Sequence, residues 1–213
     1  MSARTPRVVA VTGNMGAGKS SLVAWLESQL GMVPFFEPND DNPYLADFYG
    51  DMPRWALHSQ LFFLIRRFRI HKDIDARALA RDKDIVQDRT IYEDAEIFAA
   101  HLHKKGLIPE RDWAMYQDLY ATLRREIRPP DLMIYLRCPV ATLVKRIKKR
   151  GRAFEQTIPR AYLSSLHDLY EEWFARYDAS ETIVVNTDRV DYLEHLFDRH
   201  ELLETIRSRL GRG

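Results

Sequence analysis

The sequence has little that suits a secreted, metal-clustered or membrane-bound protein. Its 213 residues include a single cysteine, Cys138, so no intramolecular disulfide can form, which is typical of the reducing cytoplasm. The formal net charge is +1 and gives no overall attraction to nucleic acid or to an anionic membrane. No apolar run approaches the roughly 20 residues that span a bilayer. These absences predict a cytoplasmic protein that binds neither nucleic acid nor membrane.

Five short apolar segments predict buried β-strands, and longer helical patterns lie between them. The strand segments are rich in Val, Ile and Leu, as parallel strands covered on both faces are. We expect strands at 8–11, 33–36, 85–87, 132–136 and 183–185. We expect helices at 53–81, 92–102, 110–125, 140–150 and 161–177, and a last one that ends near Ile206. The alternation predicts one α/β domain over 1–213, with a five-stranded parallel sheet between helical layers and a helical excursion over its carboxyl edge.

The first strand leads into a glycine-rich turn that fits G-x-x-x-x-G-K-[ST] and is followed by a helical pattern. Glycines let backbone N–H groups point at one place, and the helix N-terminus adds partial positive charge there. The pattern predicts a site for the phosphates of ATP, with Lys19 at the β/γ-phosphates and the Ser20 hydroxyl on Mg²⁺. The expected ATP-binding residues of this turn are Gly13, Asn14, Met15, Gly16, Ala17, Gly18, Lys19, Ser20 and Ser21.

Two further strand ends carry charged residues at the edge where open α/β sheets bind ligands. Glu37 follows the second strand, and its carboxylate could take a proton from an acceptor hydroxyl; a solvated loop residue is the alternative. Asp88 and Arg89 follow the third strand. This predicts Asp88 as a Mg²⁺ ligand and Arg89 as a residue that holds a substrate hydroxyl near the phosphate; a structural Asp–Arg pair is the alternative.

A polar residue inside an apolar helix marks a candidate base pocket. Gln60 must find hydrogen-bond partners there, and its amide matches the edge of a nucleobase. Arg67 lies two turns further on the same face, while Asp94 and Phe98 are spaced i,i+4 on the next helix. These four residues could surround a base. The alternative is that an internal partner satisfies Gln60 and that Phe98 belongs to the core.

The segment 145–152 is densely basic. Its arginines could close as a lid, over about 146–156, on transferring phosphates and stabilise their charge. Two other interpretations are a solvated helix end, where cations are favoured, and a nucleic-acid patch. Next to a phosphate-binding turn, the lid is the interpretation that we prefer.

Taken in order, these motifs resemble those of the deoxynucleoside kinases, the group of deoxycytidine, deoxyguanosine and bacterial deoxyadenosine kinases. The resemblance covers nearly the whole chain. It depends on Gly13–Ser20, Glu37-Pro38, Asn42-Pro43-Tyr44-Leu45, Arg54-Trp55 with Gln60, the run from Asp88 to Asp94, Arg146, Arg150-Gly151-Arg152 and Glu155. It implies ATP- and Mg²⁺-dependent phosphorylation of a deoxynucleoside 5′-hydroxyl in nucleotide salvage, with deoxyadenosine or deoxyguanosine favoured as acceptor.

The resemblance also implies roles on the acceptor side. Glu37 would be the general base on the 5′-hydroxyl, and Arg89 would position that hydroxyl. Tyr49 and Glu155 would hold the sugar 3′-hydroxyl. The base would be hydrogen-bonded and packed by Gln60, Arg67, Asp94, Phe98 and Trp55.

On the donor side, the resemblance implies a lid of Arg146, Arg150 and Arg152 over the ATP phosphates. A loop containing Asp188 would sense the adenine of the donor. The family is typically a homodimer, and the resemblance implies contacts through parts of 53–81 and 92–102. Two departures from the family pattern are Thr90, where relatives often have Ser, and Ala153-Phe154 before Glu155.

Other functions would use the same phosphate-binding turn. A nucleoside monophosphate kinase would need a second phosphate site beyond Arg89. A non-catalytic nucleotide-binding subunit should lose acidic or lid residues, yet all of them are present. A switch-type NTPase would need a strand followed by D-x-x-G, which the sequence lacks.

Overall fold

A computed structural model describes residues 6–36, 42–80, 83–152, 155–156, 158–188 and 195–211. Its five strands are β1 (Val8–Thr12), β2 (Val33–Phe35), β3 (Ile85–Asp88), β4 (Leu132–Arg137) and β5 (Glu181–Asn186). They form one all-parallel sheet in the order β2-β3-β1-β4-β5. The α/β prediction and all five predicted strands are confirmed.

Nine α-helical segments occur in the described part of the chain. They are α1 (Lys19–Leu30), α2 (Leu45–Gly50), α3 (Met52–Ala80), α4 (Ile91–Glu93), α5 (Ala100–Lys104), α6 (Glu110–Arg125), α7 (Val140–Arg150), α8 (Arg160–Phe174) and α9 (Leu196–Arg209). A π-helical segment, Asp94–Ala99, joins α4 to α5. None of these described helices combines the length and apolar character that crossing a membrane requires.

The sheet separates the two larger of three apolar clusters, because alternate side chains of its strands point to opposite faces. Val9 and Val11 belong to the cluster that also contains buried residues of α1, α7 and α9. Ala10 belongs to the other cluster, which contains residues of α3, α6 and α8. The central strand β1 is buried throughout, whereas the edge strand β5 alternates between exposed and buried residues. The helical layers thus hold the end of β1 at the centre of the sheet's carboxyl edge.

The register brings the functional strand ends together. Val11 of β1 pairs with Asp88 of β3, and Thr12 pairs with Tyr135 of β4. The phosphate-binding turn therefore begins at the level where β3 ends, as parallel strands place their ligand sites. The excursion α2–α3 packs beside this edge, and its first helix, α2, had no counterpart among the predicted helices.

The predicted helix 92–102 differs from expectation in two respects. Its central part is π-helical, a form that is frequent at functional sites. Its residues are also mostly buried within this chain, including Ile97, Ala99 and Leu102. The expectation that parts of this segment contribute to a dimer interface stays a prediction.

Candidate active site

The phosphate-binding turn lies between β1 and α1 and depends on glycine at two places. Gly13 has φ +145°, and a Cβ there would stand 2.8 Å from the Leu136 carbonyl oxygen. Gly16 has φ +79°, and a Cβ there would stand 3.0 Å from Cγ1 of Ile147 on α7. Larger residues would strain the backbone at both positions. The turn is therefore packed against β4 and α7 as well as shaped for phosphate.

Lys19 points back into this turn. Its Nζ donates hydrogen bonds to the carbonyl oxygens of Gly13 (3.0 Å) and Asn14 (3.2 Å), and the residue is buried. Its positive charge thus lies inside the ring of backbone groups where a phosphate would bind. Asn14 fixes the turn from the other side, because its Nδ2 donates to the carbonyl oxygen of Leu163 on α8.

Ser20 and Asp88 form the candidate magnesium site. The Ser20 hydroxyl donates to Asp88 Oδ2 at 2.6 Å. The other carboxylate oxygen, Oδ1, is buried and has no hydrogen-bond partner in the described part of the chain. A hydroxyl and a carboxylate beside a phosphate site are hard oxygen ligands of the kind that Mg²⁺ takes, with nucleotide phosphates and water completing its shell. These residues therefore fit the ion that the sequence predicts.

Arg89 occupies a left-handed backbone conformation, with φ +68°, which is costly for a residue with a side chain. Its N–H donates to the carbonyl oxygen of Val11 at 2.9 Å. Its guanidinium lies 4.4 Å from the ring centroid of Phe98, within the range of a cation–π contact. Its Nε is 3.6 Å from Oε1 of Glu93. Such a turn aims the guanidinium into the cleft and holds it there.

Glu93 is a buried carboxylate to which the sequence interpretation gave no role. Its Oε2 accepts hydrogen bonds from the N–H (2.7 Å) and the hydroxyl of Thr90 (3.1 Å). Its Oε1 accepts one from the Tyr170 hydroxyl at 3.2 Å. Burial raises the pKa of Glu93, and the charges of Arg89 and Lys19 oppose that rise. The T-x-x-E spacing of a capping box is the signal that could have revealed it.

One cavity, of about 790 Å³ with its open mouth, joins the phosphate-binding turn to the candidate base pocket. Its wall includes most of the predicted site residues. They are Met15, Gly16, Lys19, Ser20, Tyr49, Gln60, Asp88, Arg89, Asp94, Phe98, Arg150, Arg152 and Glu155. Leu45, Phe48, Ser59, Phe63 and Tyr162 also line it and were not predicted.

Two predicted base contacts lie outside this wall. Arg67 is 3% exposed and sits behind Asp94, with its Nε 3.1 Å from Asp94 Oδ2 and its Nη1 donating to the carbonyl oxygen of Asp88 at 3.0 Å. Trp55 stacks on Tyr44, with ring centroids 5.7 Å apart. A buried ion pair thus holds Arg67, and Trp55 stacks on Tyr44. The expected contacts of these two residues with the base stay predictions.

The sugar-binding candidates lie next to the lid arginines. Glu155 is 4% exposed and accepts hydrogen bonds from Nη2 (2.7 Å) and Nε (3.0 Å) of Arg150, while Arg152 lies 3.7 Å away. Burial, and then the Glu155 charge, raise the pKa of Tyr49 to about 12, so its phenol keeps its proton at neutral pH. The cavity thus offers a hydrogen-bond donor and a charged acceptor side by side.

Arg146 lies on the far side of the phosphate-binding turn. Its Nη1 donates to the carbonyl oxygen of Ala17 (3.1 Å) and to the Thr187 hydroxyl (3.1 Å), and its Nη2 to the Thr187 carbonyl oxygen (2.8 Å). It therefore ties the turn to the loop after β5, where Asp188 is exposed. Arg146 and Asp188 do not line the shared cavity, and neither do Gly13, Asn14, Ala17, Gly18 and Ser21. Glu37, the predicted base, lies outside the described residues.

The comparisons with known proteins agree on one family. A family model described as deoxynucleoside kinase matches residues 9–210. The deoxyadenosine kinase of Lactobacillus acidophilus is 35% identical over 214 residues and covers 96% of each chain. A deoxyguanosine kinase of the same organism is 35% identical over an alignment of 215 positions, which covers 95% of this chain and 90% of that one. The solved structure of a deoxyadenosine kinase from M. mycoides, with products dCMP and a flexible dCDP bound, has a TM-score of 0.82 and 30% identity, and covers 94% of this chain and 99% of its own.

Proposed function

This chain belongs to the deoxynucleoside kinase family, and from that membership we propose its reaction. It transfers the γ-phosphoryl group of ATP to the 5′-hydroxyl of a deoxynucleoside, in nucleotide salvage. Deoxyadenosine or deoxyguanosine is the favoured acceptor, since curated relatives at 35% identity carry those two names.

The observation that carries the proposal is the shared cavity. Lys19 and Ser20 line one part of it, and Gln60 and Asp94 line another. A phosphate donor on the glycine-rich turn and a nucleoside beside Gln60 would therefore meet in the same cavity. Holding two reactants in one geometry is the main way in which phosphoryl transfer is accelerated.

Different residues of this chain have different roles in the proposed phosphoryl transfer. Glu37 is the proposed general base that takes the proton of the 5′-hydroxyl. The Arg89 guanidinium, aimed by its left-handed turn, holds that hydroxyl and neutralises charge. Lys19 stays with the transferring phosphoryl group, and the backbone N–H groups of the turn stabilise its equatorial oxygens.

Ser20 and Asp88 would hold Mg²⁺, which, when bound, would offset the negative charge of the phosphates during transfer. The unpartnered Oδ1 of Asp88 supports this assignment. Ser20 also orients the carboxylate through its 2.6 Å hydrogen bond to Oδ2. Ser20 lies in the first turn of α1 and Asp88 is the last residue of β3, and the two meet at the carboxyl edge of the sheet.

On the acceptor, Gln60 and Asp94 hydrogen-bond the base, and Phe98 packs against it. Arg67 acts indirectly, by orienting the Asp94 carboxylate that hydrogen-bonds the base. Tyr49 and Glu155 bind the 3′-hydroxyl of the sugar. Each of these assignments, apart from that of Arg67, places a residue of the cavity wall against the part of the nucleoside that its chemistry suits.

On the donor, Arg150 and Arg152 approach the phosphates as the lid, while Arg146 and Asp188 shape the adenine end. The basic last turn of α7 carries Arg150 to the cavity rim. We also propose a homodimer and a cytoplasmic location. The dimer would use α3, whose Ile65 is 42% exposed.

The experiment compares acceptors at fixed ATP and Mg²⁺. Purified protein is given deoxyadenosine, deoxyguanosine, deoxycytidine and thymidine in one series, and the corresponding 5′-monophosphates in another. We expect monophosphate products from the nucleosides and no turnover of the nucleotides. Turnover of monophosphates alone would instead identify a nucleoside monophosphate kinase.

A further inference from the structure

The turn that carries Asp88 and Arg89 is held from outside by helix α3. Arg67 and His71 lie one helical turn apart on α3 and therefore share a face. Arg67 Nη1 donates to the carbonyl oxygen of Asp88 at 3.0 Å. His71 Nε2 accepts a hydrogen bond from the N–H of Ile91 at 3.3 Å. The two side chains thus bind the backbone on either side of Arg89.

Every backbone N–H from Arg89 to Ile91 has a defined acceptor. That of Arg89 donates to Val11, and that of Thr90 to the Glu93 carboxylate at 2.7 Å. The N–H of Ile91 is at the first position of α4, where no intrahelical acceptor exists. His71 supplies that acceptor, and both His71 and Ile91 are buried. Without it, a buried donor would be left unsatisfied beside the strained turn.

The histidine is in the state that this bond requires. An imidazole accepts a hydrogen bond only when it is neutral, with its proton on the other ring nitrogen. Burial, and then the nearby Arg67 charge, lower the pKa of His71 to about 3. His71 is therefore neutral, and it can accept from Ile91, throughout the pH range in which the enzyme works.

From this geometry we propose that His71 is a positioning residue for phosphoryl transfer, which holds the Asp88–Arg89 turn in register with the base-binding face of α3. The same helix carries Gln60, two turns before Arg67 and on the same side. The same rigid helix, α3, therefore positions both Gln60, which would bind the nucleoside, and the turn from which Arg89 would hold the hydroxyl. His71 touches no substrate in this proposal and acts through the turn. The proposal depends on the kinase activity proposed above.

The test separates kcat from KM. His71→Leu keeps similar bulk and removes the acceptor, so we expect kcat to fall about 10- to 100-fold through misplacement of Arg89. We expect KM for the deoxynucleoside and for ATP to change by less than about threefold, because the ground-state contacts remain. His71→Gln should recover most of the lost kcat, since its amide oxygen can reach the position of Nε2.

Ile74→Ala is the matched control on the same helix. Ile74 is 1% exposed and packs near Val8 and Ile85, toward the opposite edge of the sheet. It should lower the melting temperature but leave kcat unchanged at temperatures well below melting. Equal losses of kcat in the two variants, or a His71→Gln enzyme no better than His71→Leu, would overturn the proposal.

Two further experiments cover the case in which His71→Leu does not fold and test the protonation of the His71 ring directly. If His71→Leu does not fold, His71→Gln is compared with His71→Asn, whose shorter side chain cannot reach Ile91; equal kcat values would overturn the proposal. In the wild type, ¹⁵N NMR should show the His71 ring protonated at Nδ1 only, and a proton on Nε2 would overturn it. An inactive wild type would defeat the proposed function and this inference together, whereas an active wild type matched by His71→Leu would defeat this inference alone.

Discussion

Arg150 and Glu155 form a two-pronged ion pair at the rim of the cavity, with Nη2 of Arg150 2.7 Å from Glu155 Oε1 and Nε 3.0 Å from Oε2. Family resemblance assigns the arginine to the donor's phosphates and the carboxylate to the acceptor's sugar. The pair therefore links the two halves of the proposed reaction. The carboxylate is 4% exposed and the arginine 39% exposed, so on this assignment Glu155 would bind the sugar hydroxyl from the inner side of the pair.

Glu155→Gln should weaken selection for the sugar 3′-hydroxyl. The charged acceptor for that hydroxyl is lost, while the side chain keeps its size. We expect the ratio of kcat/KM for a deoxynucleoside over its 2′,3′-dideoxy analogue to fall about tenfold or more. Glu172→Gln on α8, at a residue that is 62% exposed, is the control and should leave the ratio unchanged. An unchanged ratio in Glu155→Gln would remove Glu155 from the sugar site.

Ser20→Ala should raise the Mg²⁺ concentration that half-saturates activity. The variant loses one candidate ligand and also the 2.6 Å hydrogen bond that orients Asp88. We expect an increase of about 10- to 100-fold, the usual effect of losing a group that orients a metal ligand. The measurement is a titration of initial rate with Mg²⁺ at saturating nucleoside. Ser28→Ala, on the same helix but away from the cavity, is the control; identical titrations of the two variants would contradict the assignment.

Gly16→Ala should damage both the fold and donor binding. The added Cβ would meet Ile147 at 3.0 Å and the Leu143 carbonyl oxygen at 3.2 Å, in a backbone conformation with φ +79°. We expect a loss of about 1–3 kcal/mol in the free energy of unfolding and a higher KM for ATP. Gly50→Ala has nothing within 4 Å of its Cβ and no positive φ, so its stability should match that of the wild type. A fully stable Gly16→Ala enzyme with an unchanged KM would show that the turn tolerates a side chain.

His71 should make stability depend on pH in the acid range. Its pKa is about 3 in the folded protein, against an ordinary value of 6.5. Between these values the unfolded chain binds a proton that the folded chain does not, so stability falls as pH falls from 6.5 toward 3. Relative to His71→Gln, the wild type should lose about 1.6 kcal/mol of unfolding free energy between pH 6.5 and pH 5. Denaturant titrations of both proteins across that range provide the measurement, and parallel curves would contradict a buried neutral His71.

The parts of this molecule that could be predicted from sequence are those specified by local pattern. The phosphate-binding turn needs its glycines within a few residues of each other, and the buried strands have apolar runs. Gln60, Asp94 and Phe98 could be grouped because helical spacing puts each on a definable face. Such features do not depend on knowing which segments meet.

What escaped prediction depends on contacts between distant segments. Arg67 has the spacing of a base-binding residue, yet a tertiary ion pair with Asp94 holds it outside the wall of the cavity. His71 gains its role only because α3 packs against the start of α4, 20 residues away. Residues 92–102 are mostly buried because they pack against α3 and α8. No periodicity within that segment could show this packing.

The most direct test of the central proposal is a competition among acceptors. Wild-type protein is incubated with ATP, Mg²⁺ and an equimolar mixture of the four deoxynucleosides, and the products are identified by mass spectrometry and ³¹P NMR. We expect the 5′-monophosphate of deoxyadenosine or deoxyguanosine to form first, with one equivalent of ADP released for each monophosphate. ATP consumption without any deoxynucleoside monophosphate, or no reaction with any of the four, would contradict it.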